Sequence, residues 1–357
     1  MEVRRILMVA PFPFCANRGS PINVLNKIKI LLKNDYYIDL ICYPEGENIE
    51  RKHLNIYRPK RLFWSKTPIG ISKNKIFYNC LLLLKAIKLL KKHNYDVIHG
   101  HEIDGVVISI IAKKFLKKDI PIIYDMHSLP IERVGKIFNL IQHFAIKNSN
   151  LIMGISPNFG KYCLGKFSFV FDVPIKEKEN INEEKVVEIR EKFGTPIVFY
   201  MGTIESYQGF IQLDKVWDHS VGKLMCYTNA DIEFENAINI KKEGYSLSDA
   251  MVASDVLISP RQYGSNIPLK IYPYMRSGKP IVATDIPAHS ILTDNVNCVK
   301  TKPDPLSIMD GIKGVLESEQ LKRKIGDGAK KTYEQMYNMR EYERRVIDAY
   351  KQIEASS

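Results

Sequence analysis

Asp255-Val-Leu-Ile-Ser-Pro260, Arg261-Gln-Tyr-Gly-Ser-Asn-Ile267, Pro268-Leu-Lys-Ile-Tyr-Pro-Tyr-Met-Arg-Ser-Gly278 and Lys279-Pro-Ile-Val-Ala-Thr-Asp285 follow one another without a break. The order reads strand, polar glycine-containing loop, short helix, strand. Val256 to Ile258 and Ile281 to Ala283 are short apolar runs of the kind that parallel strands bury on both faces. Pro268 fits a first helical turn, where its missing N–H costs nothing, and Gly278 fits the position just past the helix end. Such a unit aims free N–H groups and the positive end of a helix at the carboxyl edge of a parallel sheet, where nucleotides and phosphates bind in open α/β folds. A plain βαβ crossover without a ligand reads equally well from this segment by itself.

Working outward, strand and helix patterns alternate over the whole chain, which predicts parallel sheets with helices on both faces. In the first half the strands are expected at Arg5–Ala10, Ile38–Cys42, Val97–His99, Ile120–Tyr124 and Leu151–Ile155, with the clearest helices at Ile76–Lys92 and Glu132–Ile146. A second series runs through Pro196–Gly202, Lys223–Tyr227, Asp255–Ser259 and Ile281–Ala283. Between them Lys176–Lys185 is charged and poor in apolar residues, a connector leading into a helix near Val186–Lys192. Tyr333 to Ile353 reads as one final helix.

The 357 residues suffice for two domains, and the apolar content of 45% with 26% charged residues is globular. A net charge of +12 favours anionic partners: phosphorylated substrates, membrane surface or nucleic acid. No zinc-finger spacing or RNP-like aromatic motif is present, so nucleic acid is not expected. The six cysteines are scattered, as in a reduced protein, and no apolar stretch reaches membrane-spanning length. Ile6–Pro11 is too short for a signal peptide. A cytoplasmic protein is expected.

Together these landmarks resemble the family-4 glycosyltransferases, retaining enzymes of the GT-B fold. In the amino half the resemblance rests on Ile6-Leu-Met-Val-Ala-Pro11 with Arg18-Gly-Ser20, on Tyr95-Asp-Val-Ile-His-Gly-His101 and on Pro121-Ile-Ile-Tyr-Asp-Met-His127. In the carboxyl half it rests on Tyr200-Met-Gly-Thr-Ile-Glu-Ser-Tyr-Gln-Gly209 and on Pro260–Asp285. It implies an α/β chain of two Rossmann-like domains whose parallel sheets face across a cleft. Residues 1–175 would form the acceptor-side domain, with a helix over 336–357 crossing back to it. Residues 190–335 would bind the nucleotide sugar. It also implies a metal-independent hexosyl transfer with no cofactor beyond the donor, and an acceptor that is a glycan or a lipid-linked molecule.

Retaining transfer breaks a bond to a pyrophosphate leaving group, so negative charge developing on phosphate must meet N–H donors, helix ends or cations. Gly264, Ser265, Asn266 and Leu269 lie where such N–H groups are expected, and Arg261 and Lys270 are cation candidates. Arg276 reads as a surface charge. By the resemblance Gly19 and Ser20 approach the donor phosphate and sugar, Gly202, Thr203, Gln208 and Gly209 form the donor turn, and His127 is the active-site histidine near the reacting sugar. His101 and Glu102 would line the acceptor side, and Asp125 is equally well a structural cap.

Three departures stand out. The basic pair that many members carry at the donor turn is replaced by Thr203 and Gln208. The two glutamates eight apart that hold sugar and ribose are replaced by Ser265 and Pro273. The segment between Phe210 and Ser246 is short. A catalytically silent GT-B-like scaffold of an active transferase is therefore a second reading, and a 2-epimerase of the same architecture a third. Finally, Arg51, Lys52, Arg58, Lys60, Arg61, Phe63, Trp64, Lys66, Lys73 and Lys75 form a basic, aromatic-bearing stretch over 51–75. It is expected to touch an anionic membrane peripherally, whereas the Phe77, Leu81, Leu84 and Ile87 stripe of the next helix is expected to cover the core.

Overall fold

The computed structural model describes residues 4–14, 19–61, 73–127, 136–172 and 180–355. The chain divides into two compact units, Met1–Asp172 with Tyr342–Ser357, and Val173–Glu341. In the first unit the strands are β1 (Arg5–Ala10), β2 (Tyr37–Cys42), β3 (Leu54–Tyr57), β4 (Val97–His101), β5 (Ile122–Met126), β6 (Leu151–Gly154) and β7 (Phe167–Phe169). All pair in parallel, in the order β3-β2-β1-β4-β5-β6-β7. Helices α1 (Gly19–Lys33), α2 (Lys73–Lys92), α3 (Glu102–Phe115) and α4 (Lys136–Lys147) connect them, and α2, α3 and α4 pack side by side. The strand direction of travel reverses between β1 and β4, which makes the carboxyl ends of those two strands the topological switch point.

The second unit has β8 (Ile197–Met201), β9 (Lys223–Tyr227), β10 (Ile238–Asn239), β11 (Val256–Ser259), β12 (Ile281–Thr284) and β13 (Val299–Thr301), again all parallel, in the order β10-β9-β8-β11-β12-β13. Its switch point lies between β8 and β11. Its helices are α5 (Glu183–Phe193), α6 (Phe210–Lys215), α7 (Leu247–Ala253), α8 (Ile271–Ser277), α9 (Pro305–Glu317) and α10 (Glu319–Met336). Helix α11 (Met339–Glu354) closes the chain. The first strand of each sheet is an apolar run: Ile6 to Ala10 and Ile197 to Tyr200 are fully buried.

Several expectations need correction. Helix α5 starts at Glu183, ahead of the expected Val186, because Asn182 caps it; Asn182 also donates its N–H to Asp249 of α7 at 2.8 Å. The run Tyr333–Ile353 is two helices: Asn338 accepts from the Glu341 N–H at 2.9 Å and starts α11 afresh. Helix α8 begins at Ile271, not at Pro268; Pro268–Ile271 is a turn closed by a 3.0 Å bond. Gly278 does end it in the left-handed conformation, at φ 69°. Helix α2 turns Tyr78, Leu82, Ala86 and Leu89 to the core, while Phe77 and Leu84 look outward at 38% and 62% exposure. Of the stripe read as core cover, Leu81 and Ile87 do pack against the core and only Phe77 and Leu84 face outward.

Candidate functional site

In the first unit the sequence places His99 and His101 in the carboxyl half of β4 and Asp125 near the end of β5, and register pairs His101 with Asp125. Helix α1 brings Lys27 to the same spot. One carboxylate oxygen, Asp125 Oδ2, then receives Lys27 Nζ at 2.6 Å, His101 Nδ1 at 2.8 Å and His127 Nε2 at 3.3 Å. Lys27 also donates to Asn23 at 2.6 Å, and Asn23 donates to Asp172. His99 stacks on His101 at 4.2 Å and meets the Tyr350 hydroxyl at 2.5 Å. Lys27, His99, His101 and Asp125 are buried; His127, with 9% of its side chain exposed, is where the group reaches the surface.

The charges follow from this arrangement. Burial works against an ionised Asp125, but Lys27 and His127 outweigh it and hold the carboxyl well below its usual range. Burial and its neighbour His99 push His101 down to about 3, so it is neutral. Burial also opposes charge on His127, but Asp125 overcomes it and raises the ring to about 9. His127 is therefore an imidazolium at neutral pH, a donor rather than a base. A divalent cation between His99, His101 and Asp125, whose ligand atoms lie within 4.8 Å of one another, would stand against the Lys27 ammonium, so these residues do not fit one.

The His127 assignment makes a prediction. Because its folded pKa lies above the unfolded value near 6.5, its pairing stabilises fully below that pH and the contribution is lost as pH rises through about 9. An NMR titration of the imidazole is expected to give a midpoint near 9, falling towards 6.5 in His127's neighbour variant Asp125→Asn. A midpoint near 6.5 in the unsubstituted protein would refute the pairing.

In the second unit the loops after β8 and β11 flank the switch point. Gly202, at φ 137°, lets Lys270 come so close that a Cβ there would stand 3.1 Å from its Nζ. Lys270 is 5% exposed, its ammonium sits 3.7 Å from the centre of the Tyr200 ring, and Nζ meets no hydrogen-bond acceptor among the described residues. Burial, and then Arg261, drive its pKa well down. Among the described residues Ser265 Oγ and Gln208 Oε1 are likewise buried without hydrogen-bond partners, the latter residue reaching Thr203 Oγ1 at 3.4 Å. Lys270 precedes a helix of only seven residues, so the side chain, not a helix end, is the cationic element.

Arg261 takes a different part from the one expected. Its guanidinium donates to Tyr263 O at 2.9 Å, to Asn266 O at 3.1 Å and to Asn266 Oδ1 at 2.8 Å, and so braces the 263–266 loop. Asn266 is held in that brace. Gly264, at φ 130°, is required because a Cβ would lie 2.4 Å from the same guanidinium. Gly209, at φ 72°, brings the 202–209 turn against the β11 loop, where a Cβ would meet Pro260 O at 2.0 Å. Gly209→Ala is expected to cost about 1–3 kcal/mol, read as a lowered denaturation midpoint; an unchanged midpoint would contradict this close approach.

Other expected residues fall as follows. His101 is fully buried and cannot line an acceptor surface; Glu102 opens α3 at φ 58° and is partly exposed. Gly19 and Ser20 begin α1. Leu269 is part of the turn before α8, and Arg276 is partly exposed. Arg18, Phe63, Trp64 and Lys66 lie outside the described residues. The sequence reading missed Lys27 and His289. Lys27 falls on the Val24, Ile28, Leu31 buried stripe of α1, and a lysine at such a position signals a buried counter-charge. His289, lowered by burial to about 4 and so neutral, donates from Nδ1 to Thr284 O at 2.7 Å and accepts at Nε2 from the Ser259 hydroxyl at 2.8 Å, and so ties the ends of β11 and β12.

Two parallel α/β units, each with its polar cluster at a switch point, define the GT-B class. Sucrose-phosphate synthase from Thermosynechococcus elongatus has this fold, at a TM-score of 0.74 and 15% identity over 99% of this chain and 100% of that one. So does HepE from Anabaena, solved in complex with UDP, at 0.70 and 13% over 98% and 100%. A putative UDP-N-acetylglucosamine 2-epimerase from Listeria monocytogenes reaches 0.63 at 8% identity over 99% and 97%. No curated protein sequence matches. Family models do: residues 15–156 match "Glycosyl transferase 4-like" and residues 220–318 match "Glycosyl transferases group 1". The chain belongs to the family-4 glycosyltransferases.

Proposed function

We propose that the protein transfers a hexose from a nucleotide-diphosphate sugar, with retention and without a metal, to a glycan or lipid-linked acceptor in cell-surface polysaccharide or glycolipid synthesis. The observation that carries this reading is Lys270, a buried amine at the carboxyl edge of the second sheet that is hydrogen-bonded to no anion among the described residues. Leaving such a charge uncompensated is costly, and a diphosphate supplies the missing counter-charge. Gly202, Thr203, Gln208, Gly209, Gly264, Ser265, Asn266 and Leu269 surround the donor in this reading, with Arg261 shaping the loop. In the first unit His127, cationic at neutral pH, donates a hydrogen bond to a sugar hydroxyl. Membership of the family and the UDP held by HepE support a nucleoside diphosphate as the anion.

Incubation with a panel of nucleotide sugars tests this, with release of nucleoside diphosphate as the readout. One donor is expected to be consumed, its product keeping the donor's anomeric configuration by NMR. Ser265 and Pro273 at the two glutamate positions favour a second reading, a non-catalytic partner; nucleotide binding with no release from any donor would select it. Inversion at C2 of the donor sugar would select an epimerase.

A further inference from the structure

Helix α4 is amphipathic in the unusual sense: its apolar side faces away from the core. Only Gln142, Ala145 and Ile146 are buried, whereas Ile137 and Leu140 are 71% and 70% exposed and Ile141 and Phe144 are 37% and 36% exposed. These four sit at i, i+3, i+4 and i+7, one continuous stripe. Lys136 begins that stripe four residues before Leu140, and Lys147 ends it three residues after Phe144. The adjoining end of α3 continues the pattern. Ile111 and Phe115, four apart, are 43% and 67% exposed, and Lys114 lies over the Phe144 ring at 5.1 Å. Lysines 113, 117 and 118 cluster at the same helix end, with Asp119 the one acid paired among them. On the far side of α3, α2 exposes Ile76 and Leu84 at 61% and 62% and carries six lysines and no acid.

Three neighbouring helices thus hold nine of the nineteen exposed large apolar side chains among the described residues. They carry ten lysines against two acids, Glu102 and Asp104, both at the opposite end of α3 from Phe115. An exposed apolar stripe of this extent marks an interaction surface. Its charge decides the partner. A second copy would bring two lysine-rich faces together, whereas an anionic bilayer meets lysine heads at the phosphate level while their stems and the apolar residues enter the interface.

We propose that the outer face of α2, α3 and α4, centred on the Ile137–Phe144 stripe, is a docking surface for an anionic lipid bilayer. The basic 51–75 stretch is not its centre: Arg58, expected there, is spent on the carbonyls of Tyr43, Glu45 and Glu47 at 2.5–2.8 Å. The proposal does not depend on the donor reading, since none of these residues lies in either polar cluster.

Flotation of the full chain with vesicles of phosphatidylcholine, with and without 30% phosphatidylglycerol, tests it. Binding to the anionic vesicles and not to the neutral ones is expected, weakening steeply with salt. Leu140→Ser/Phe144→Ser is expected to abolish it, and Lys136→Gln/Lys147→Gln to weaken it about fivefold per lysine. Because these residues are exposed, the variants should keep the parent melting temperature and nucleotide-induced shift. Absence of binding to anionic vesicles at low salt would overturn the proposal. So would binding that survives Leu140→Ser/Phe144→Ser but is lost on Arg51→Gln/Lys52→Gln. Concentration-dependent dimerisation in ultracentrifugation, abolished by Leu140→Ser/Phe144→Ser in a chain that ignores vesicles, would assign the face to a second copy instead.

Discussion

Asp125→Asn is expected to destabilise the protein by about 3–5 kcal/mol, the cost of removing one partner from a buried ion pair. The substitution keeps the shape of the side chain and removes only the charge. Lys27, fully buried, then faces an amide at 2.6 Å in place of a carboxylate, and His127 loses the group that holds its proton. Lys27→Met in the same chain should recover part of the loss, because the orphaned ammonium goes with it. Urea denaturation of the single and double variants measures both terms. A loss below about 1 kcal/mol for Asp125→Asn would mean that the cluster is not the electrostatic centre of the first unit. The pH dependence has a definite sign. Asp125 has its folded pKa depressed, so its contribution is present above the unfolded value near 3.9 and disappears as pH falls through the lower folded value.

Lys270→Met is expected to move two observables in opposite directions. Without nucleotide the variant should be more stable than its parent, since a buried, unpaired ammonium is replaced by an apolar chain of similar length. Nucleoside diphosphate affinity should nevertheless fall about 10–100-fold, the effect of losing a charge-assisted bond of about 1.5–3 kcal/mol. The pH behaviour distinguishes this from general damage. The folded pKa of Lys270 lies well below the unfolded value, so the unfolded chain binds more protons between the two and stability rises with pH across that window. The slope should vanish in Lys270→Met. A bound diphosphate raises that pKa again, so between the free and the bound values binding takes up a proton and strengthens as pH falls.

How much of this was legible depended on burial. Central strands such as Lys223–Tyr227 announce themselves as apolar runs because both faces are covered. The four strands that the sequence reading passed over, β3, β7, β10 and β13, are the four sheet edges, and each is only partly buried. Periodicity marked the α2 stripe but not its tilt: Leu81 and Ile87 pack against the core, while Phe77 and Leu84, as apolar as the buried Tyr78 and Leu82, face outward. In the candidate site, strand-end histidines and the Lys270 loop were visible as residues at carboxyl edges. Their partners were not. Lys27 lies 98 residues from the carboxylate it neutralises. Arg261 reads as a free cation until the loop folds back and its three bonds to residues 263–266 appear.

Thermal shift against UDP, GDP, ADP, CMP and their common sugar conjugates, on the parent chain and Lys270→Met in parallel, tests the donor reading most directly. At a hundredfold excess over its dissociation constant a ligand adds about 2.7 kcal/mol to the folded state. One nucleoside diphosphate is predicted to raise the parent's melting temperature, more so with its sugar attached, and to leave Lys270→Met nearly unmoved. No shift with any of them, or an equal shift in both proteins, would contradict a diphosphate at Lys270.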